Sequence, residues 1–142
     1  MKTARRRSRE IALQALYAWQ LAGGDPLDEL RTLDQEGRAD RDLAEALVRG
    51  VLERADELRT LITPCLDRDF ARLSPVERAI LYIGAFELQA HPETPFKVIV
   101  NEAVELGKSY GGTGGHKFVN GVLEKLAGGL RPDEAGRRKQ PA

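Results

Sequence analysis

The chain has 142 residues, and a domain of this length buries roughly 70% of its unfolded surface. Hydrophobic residues make up 42% of the chain and charged residues 31%, which is typical of a folded, water-soluble protein. Its single cysteine, Cys65, excludes an internal disulfide and a metal site built from several cysteines. The net charge is zero, but residues 1–9 carry five bases and no acid, whereas residues 25–69 carry 13 acids and seven bases.

The N-terminal segment predicts an arginine-rich arm, residues 1–9, that continues into a helix over about residues 4–23. Cations at a helix N-terminus oppose the helix dipole, at a cost of about 0.3–1 kcal/mol each. Five of them in nine residues therefore favour a polyanionic partner, most simply RNA, over a solvated helix end. We assign RNA contacts to the basic residues of the arm and to a tyrosine on the polar side of the helix: Lys2, Arg5, Arg6, Arg7, Arg9 and Tyr17.

The acidic middle of the chain predicts a short helix that starts at Asp25-Pro26, then a longer helix over about residues 40–55 with a further turn or two. Ser74 to Glu77 form a capping box, which starts a helix over about residues 75–91. This helix is the most apolar in the chain, so we expect it to be central, with Tyr82 on a narrow exposed strip.

Glu87 interrupts the apolar arc of that helix. A buried carboxylate without a partner is costly, so the residue needs a counter-charge or an exposed position. Two interpretations stay open: an internal ion pair, or a docking face for a basic partner.

The segment from Pro95 to Ala127 predicts two helices joined by a glycine-rich loop, residues 111–115. Thr94 and Pro95 form a helix start, with the threonine hydroxyl as the cap. The second helix begins near His116 and carries a core stripe that includes Val119.

Phe118 leaves that core stripe, because it lies about 100° from Val119 on the helix. An aromatic ring beside cationic side chains at a helix N-terminus suits a stacked base and its phosphate. We therefore expect His116, Lys117 and Phe118 to contact RNA. The alternative is that Phe118 packs against the edge of the helix bundle.

The rest of the sequence indicates the domain bounds and gives no sign of a metal site or a catalytic site. Residues 1–130 form one domain, and residues 131–142 lack any helical period and predict a disordered tail. His91 and His116 do not have metal-ligand spacing, and no nucleophile has a visible histidine–acid pair. We expect no metal, no cofactor and no enzyme activity. Because no apolar run could span a membrane, we expect a cytoplasmic protein without a membrane partner.

Several motifs of this chain resemble the NusB family of bacterial transcription antitermination factors. They are Ala4-Arg5-Arg6, Ala85-Phe86-Glu87-Leu88, Lys97-Val98, Asn101 to Leu106, and Lys117-Phe118-Val119-Asn120-Gly121-Val122-Leu123. The resemblance implies an all-α fold, with about seven helices in two small helical subdomains packed together.

The resemblance also implies a function. Members of the family pair with NusE, a small-subunit ribosomal protein, and bind the single-stranded boxA element of nascent ribosomal RNA transcripts. They help the RNA polymerase elongation complex to read through terminators, without catalysis. On this basis Glu87 and Tyr82 are expected to contact NusE. The family includes monomers and dimers, so a homodimer stays open.

Two alternatives remain at this point. The chain could be a helical protein-interaction module that never binds RNA. It could also be related to the N-terminal RNA-binding domain of ribosomal RNA methyltransferases, although 142 residues are not expected to include a cofactor domain as well.

Overall fold

The structure, a computed structural model, describes the backbone of residues 2–139 and the side chains of residues 2–135. This part of the chain contains seven α-helices and no β-strand, which confirms the all-α prediction. None of these helices is long and apolar enough to cross a membrane. The helices are α1 (Ala4–Ala22), α2 (Pro26–Leu33), α3 (Arg41–Ile62), α4 (Pro75–Ala90), α5 (Phe96–Tyr110), α6 (Gly115–Leu130) and α7 (Pro132–Lys139).

Four helices begin at side chains that accept a hydrogen bond from a backbone N–H of the first turn. These caps are Thr3, Asp25, Asp40 and Ser74. Ser74 and Glu77 make both reciprocal bonds of the predicted capping box, each at 3.1 Å. The two helical segments predicted after residue 40 form one helix, α3, whose backbone departs from helical geometry only at Arg54.

The helices form two groups, α1–α3 and α4–α6, that share one continuous hydrophobic core. The second group meets the first mainly through α4, which contacts α1, α3, α5 and α6. Further contacts join α3 to α6 and α1 to α5. All residues from 79 to 88 are buried, so the prediction that this helix is central is confirmed. The exposed strip expected from the sequence, Arg78, Tyr82, Ala85 and Gln89, is wrong at its middle, since Ala85 is fully buried and Tyr82 is only 8% exposed. Arg78 and Gln89, toward the two ends of the helix, are half-buried.

The segment after α6 is folded where the structure describes it, which corrects the predicted disordered tail. The buried Arg131 side chain donates hydrogen bonds to the carbonyl oxygens of Glu87, Leu88 and His91, at the end of α4, and of Thr94. Helix ends leave such carbonyls unpaired, and a cation also complements the negative end of the helix dipole. Arg131 therefore closes the C-terminus of α4.

The first turn of α7 closes the start of α5. The Glu134 carboxylate accepts a hydrogen bond from the backbone N–H of Phe96 at 3.0 Å. It takes the capping role that the sequence assigned to Thr94, because the N-cap position is Pro95 and no cap bond from a residue of that turn is present. Two side chains of the C-terminal segment thus hold the turn between α4 and α5. Residues 140–142 lie outside the described residues.

We expect Arg131→Ala to lower the free energy of unfolding by about 3 kcal/mol, because the carbonyls of Leu88 and Thr94 lose the donor that Arg131 supplies. The carbonyls of Glu87 and His91 also lose Arg131 but keep a backbone N–H donor. Arg131→Lys should recover little, since one ammonium cannot reproduce the planar fork of donors. Urea denaturation followed by circular dichroism measures both. Arg72→Ala, at an exposed arginine, serves as the control. A loss below about 1 kcal/mol for Arg131→Ala would contradict the capping role.

Candidate nucleic-acid interface

The cations predicted to form an arm lie on the start of the folded helix α1. Thr3 fixes this start, because its hydroxyl accepts a hydrogen bond from the backbone N–H of Arg6 at 3.0 Å. Four of the five predicted cations remain at the surface, with side chains between 37% and 54% exposed: Lys2, Arg5, Arg6 and Arg7. The structure therefore presents them from a fixed scaffold.

Each of these four cations lies near a carboxylate of the same chain. The pairs are Lys2–Glu10 at 2.7 Å, Arg5–Asp40 at 3.8 Å, Arg6–Glu102 at 3.0 Å and Arg7–Glu10 at 3.7 Å. The carboxylates of Asp40 and Glu102 come from distant parts of the sequence. The basic end of the sequence is thus partly neutralised in the fold.

Arg9 does not belong to this surface, which corrects its assignment to RNA binding. Its side chain is 3% exposed, and its Nε and Nη2 donate to the two carboxylate oxygens of Glu87 at 3.0 and 2.8 Å. The side chain of Glu87 is 1% exposed. Of the two interpretations of Glu87, the internal ion pair is the one present. Its expected contact with a partner protein is corrected, because the carboxylate is buried and already paired.

The electrostatics of this pair explain why both charges persist in the interior. Burial opposes ionisation of Glu87, but His91 and the hydrogen bonds from Arg9 hold the pKa of the carboxyl below its usual range. Burial likewise opposes the charge on Arg9, whose pKa is nevertheless raised by Glu87 and Glu102. Glu102 lies 3.7 Å from Arg9 and also binds Arg6. A chain of alternating charges therefore joins α4, α1 and α5.

Helices α1 and α5 run in the same direction along the surface. Arg6 donates to Glu102 at 3.0 Å and Gln14 donates to the Tyr110 hydroxyl at 3.1 Å, and both pairs are separated by 96 residues. Tyr17, three residues after Gln14, lies on the same side of α1 as Gln14. Tyr17 is 39% exposed. It lies about 16 Å along α1 from Arg6, at 1.5 Å per residue.

Two glycines bring the start of α6 against the end of α5. Gly114, the residue before α6, has φ +78°, a conformation that glycine adopts without strain. A Cβ on Gly107 would lie 2.9 Å from the Cα of His116, so this close approach requires glycine. As a result His116 is half-buried against α5, while Lys117 is exposed.

The position of Phe118 fits both interpretations made from the sequence, packing at the edge of the bundle and a ring accessible to RNA. It is half-buried and packs against the edge of the core, and it also lines an open groove of about 190 Å³. Lys117 and Lys125 line the same groove. The Arg68 guanidinium lies over the Phe118 ring, 4.6 Å from its centroid, and is held by Asp67 at 2.7 and 3.2 Å.

Arg68 is a residue that the sequence does not reveal as part of this site. Its contact with Phe118 joins the loop before α4 to α6, across 50 positions, and no spacing pattern predicts it. The pair with Asp67 is exposed, and exposed ion pairs contribute little to stability. Arg68 therefore covers one face of the Phe118 ring from an exposed position.

Tyr82 lines a second open groove, of about 430 Å³, between the ends of α1 and α3 and the start of α4. Its ring meets Phe70 edge to face at 5.3 Å, and burial raises the pKa of its hydroxyl. Arg59 and Arg78 line the same groove, and neither has a carboxylate within 4.0 Å among the described side chains. Within the described residues, no group of histidine, cysteine or acidic side chains could hold a metal ion.

Comparisons with known proteins agree with these motifs and this fold. Residues 6–128 match the NusB family. The transcription antitermination protein NusB of Dechloromonas aromatica is 49% identical, over 98% of this chain and 87% of that protein. T. maritima NusB superposes with a TM-score of 0.85 at 31% identity, over 96% of this chain and 99% of that one. A structure of antitermination factors NusB and NusE in complex with dsRNA gives 0.76 at 28% identity, over 85% and 93%.

The buried Arg9–Glu87 ion pair can be tested by substitution. Glu87→Leu alone is expected to lower the free energy of unfolding by about 3–5 kcal/mol, because it leaves the Arg9 charge buried without its main partner. The double variant Arg9→Met, Glu87→Leu should lose much less than the two single variants together, since it removes both charges. Chemical denaturation measures all three. Additive losses would contradict the pairing.

The pH dependence of the same variants gives an independent check. The pKa of Glu87 is lowered in the folded state, so its contribution is present above about pH 4.3, the ordinary value for glutamate, and is lost as the pH falls through the folded-state pKa. The double variant should therefore lose less stability on acidification than the wild type does.

Proposed function

Since this chain belongs to the NusB family, we propose that it is a non-enzymatic transcription antitermination factor that binds RNA together with NusE. The observation that supports this most strongly is the surface along α1 and α5. Four exposed cations stand at one end of it, and Tyr17 and the start of α6 stand at the other. Proteins bind single-stranded RNA through cations that contact the phosphates and aromatic rings on which bases stack.

The proposed RNA is a boxA-like single strand in a nascent ribosomal RNA transcript. The solved NusB–NusE structure contains double-stranded RNA, but a ring such as Phe118 can stack only on a base that is free of its duplex. Phe118, with His116 and Lys117 beside it, is proposed as the base-contacting end of the surface. Lys2 and Arg5 to Arg7 are proposed as its phosphate-contacting end.

The proposed NusE contact includes Tyr82 and the groove that it lines. Trp19 and Phe70 give this groove an aromatic floor, and Arg59 and Arg78 add two cations without ion pairs among the described side chains. Aromatic and arginine side chains are enriched where proteins bind one another. The complex would act on the RNA polymerase elongation complex in the cytoplasm, with no membrane involved.

The α1 end of the surface is tested by the combined variant Arg5→Ala, Arg6→Ala, Arg7→Ala. In the presence of NusE, its affinity for a boxA single strand should fall about tenfold or more at low salt, because three phosphate contacts are lost. The slope of log affinity against log salt should become shallower by up to about 2, at about 0.7 for each phosphate neutralised on a single strand. Fluorescence anisotropy at several salt concentrations measures both quantities.

The matched control removes three arginines elsewhere. The combined variant Arg31→Ala, Arg49→Ala, Arg72→Ala makes the same change in net charge at exposed positions outside the surface. It should leave the salt slope near the wild-type value. An unchanged slope for the α1 variant would show that its cations form only a solvated helix start.

The α6 end is tested by Phe118→Ala, which should cost about 1–3 kcal/mol of RNA affinity, the usual value of one base stack. Its salt slope should stay at the wild-type value, because no cation is lost. Phe118→Tyr and Phe118→Trp should keep most of the affinity, and Phe118→Leu should not. If all four variants bind RNA equally once folded, and Phe118→Ala only lowers the melting temperature, then Phe118 is a packing residue.

A further inference from the structure

The cations proposed to hold RNA phosphates already hold carboxylates. Four cations face three acids, which are contributed by α1 itself, by the cap of α3 and by α5: Glu10, Asp40 and Glu102. Carboxylate and phosphate oxygens bind guanidinium groups through the same planar fork of N–H donors. A carboxylate and an RNA phosphate therefore require the same donors.

We propose that Glu102 and Glu10 are built-in competitors of RNA phosphate, which set how tightly the start of α1 holds RNA. This inference rests on the proposed RNA-binding function and deepens it. It assigns to two acidic residues a role in tuning the affinity of a basic surface.

The geometry around Glu102 allows the exchange to take place. Arg6 directs Nε and Nη2 to the same Glu102 oxygen, each at 3.0 Å, so one edge of its guanidinium is occupied. The side chain of Glu102 is 14% exposed and that of Arg6 is 43% exposed, so the arginine is the more accessible member of the pair. When Arg6 turns to a phosphate, Glu102 keeps Arg9 as a cationic neighbour at 3.7 Å. The carboxylate is therefore not left alone.

The geometry around Glu10 favours the exchange in a different way. Glu10 binds Lys2 at 2.7 Å, but its second oxygen, Oε1, has no hydrogen bond. Arg7 lies 3.7 Å from that oxygen, which is too far for a hydrogen bond, and its buried Nε also has no partner. A buried donor without a partner is unfavourable. The Arg7 side chain is nevertheless 37% exposed, so its terminal nitrogens can turn to a phosphate while Lys2 keeps its contact with Glu10.

Competition from these carboxylates would make RNA binding more dependent on base contacts. Competing carboxylates weaken every phosphate contact alike, because the phosphate backbone carries no direct sequence information. The surface then holds arbitrary RNA weakly, and stable attachment requires the base contacts at the α6 end and the partner protein. Glu102 and Glu10 thereby reduce binding to RNA that lacks the preferred bases.

The test is Glu102→Gln, which keeps the shape and an acceptor for Arg6 but removes the charge. With NusE present, the variant should bind a fluorescein-labelled boxA single strand about threefold more tightly at low salt. A scrambled strand of the same length should gain by the same factor. The gain should shrink as salt screens the interaction. Glu10→Gln is the second variant, and the melting temperature of each confirms that it is folded.

The control is Glu93→Gln, which makes the same change in net charge at an exposed carboxylate that has no ion pair among the described side chains. It should change RNA affinity much less than Glu102→Gln does. If the folded glutamine variants bind no more tightly than Glu93→Gln, the inference is overturned, and the carboxylates only position the cations. If the wild-type complex binds neither strand, the proposed function itself fails, and the inference falls with it.

Discussion

The buried ion pair between Arg9 and Glu87 is the constraint that fixes how the two groups of helices meet. It joins α1, in the first group, to α4, at the centre of the second. Either charge alone in this interior would be strongly unfavourable, so α1 can lie on α4 only in the register that brings the two side chains together. Glu102 extends the same network to α5. Three helices are thereby held in one arrangement by polar contacts with defined geometry.

The proposed RNA surface depends on that arrangement. Arg9 lies inward, whereas Lys2 and Arg5 to Arg7, in the residues that precede it, stay at the surface. The constant offset of the contacts between α1 and α5 aligns the two helices. Tyr17 lies on the same side of α1 as Gln14, which contacts the end of α5. Because the cations stand on a capped helix and not on a free arm, their positions relative to the start of α6 are set before RNA arrives. Pre-positioned groups lose less conformational entropy on binding.

Patterns within a few residues of one another predicted most of the helices. The features that they did not predict mostly depend on contacts between residues far apart in the sequence. The capping box at Ser74, the apolar character of α4 and the glycines before α6 are encoded within a few residues. The partner of Arg9 lies 78 positions away, and Arg131 and Glu134 act on a turn about 40 positions earlier. A helical period cannot reveal such contacts. For this reason the sequence predicted that Arg9 is exposed and that the segment after α6 is disordered. Glu87 was recognised as anomalous because a charge in an apolar arc requires an explanation.

The position of RNA on the folded complex can be mapped directly. A boxA single strand carrying 4-thiouridine can be photo-crosslinked to the chain in the presence of NusE, and the modified residues identified by mass spectrometry. If the RNA lies on the α1–α5–α6 surface, we expect crosslinks at the start of α1, at Tyr17 and at His116 to Phe118. Crosslinks confined to α2 and α3 would contradict this placement of the RNA.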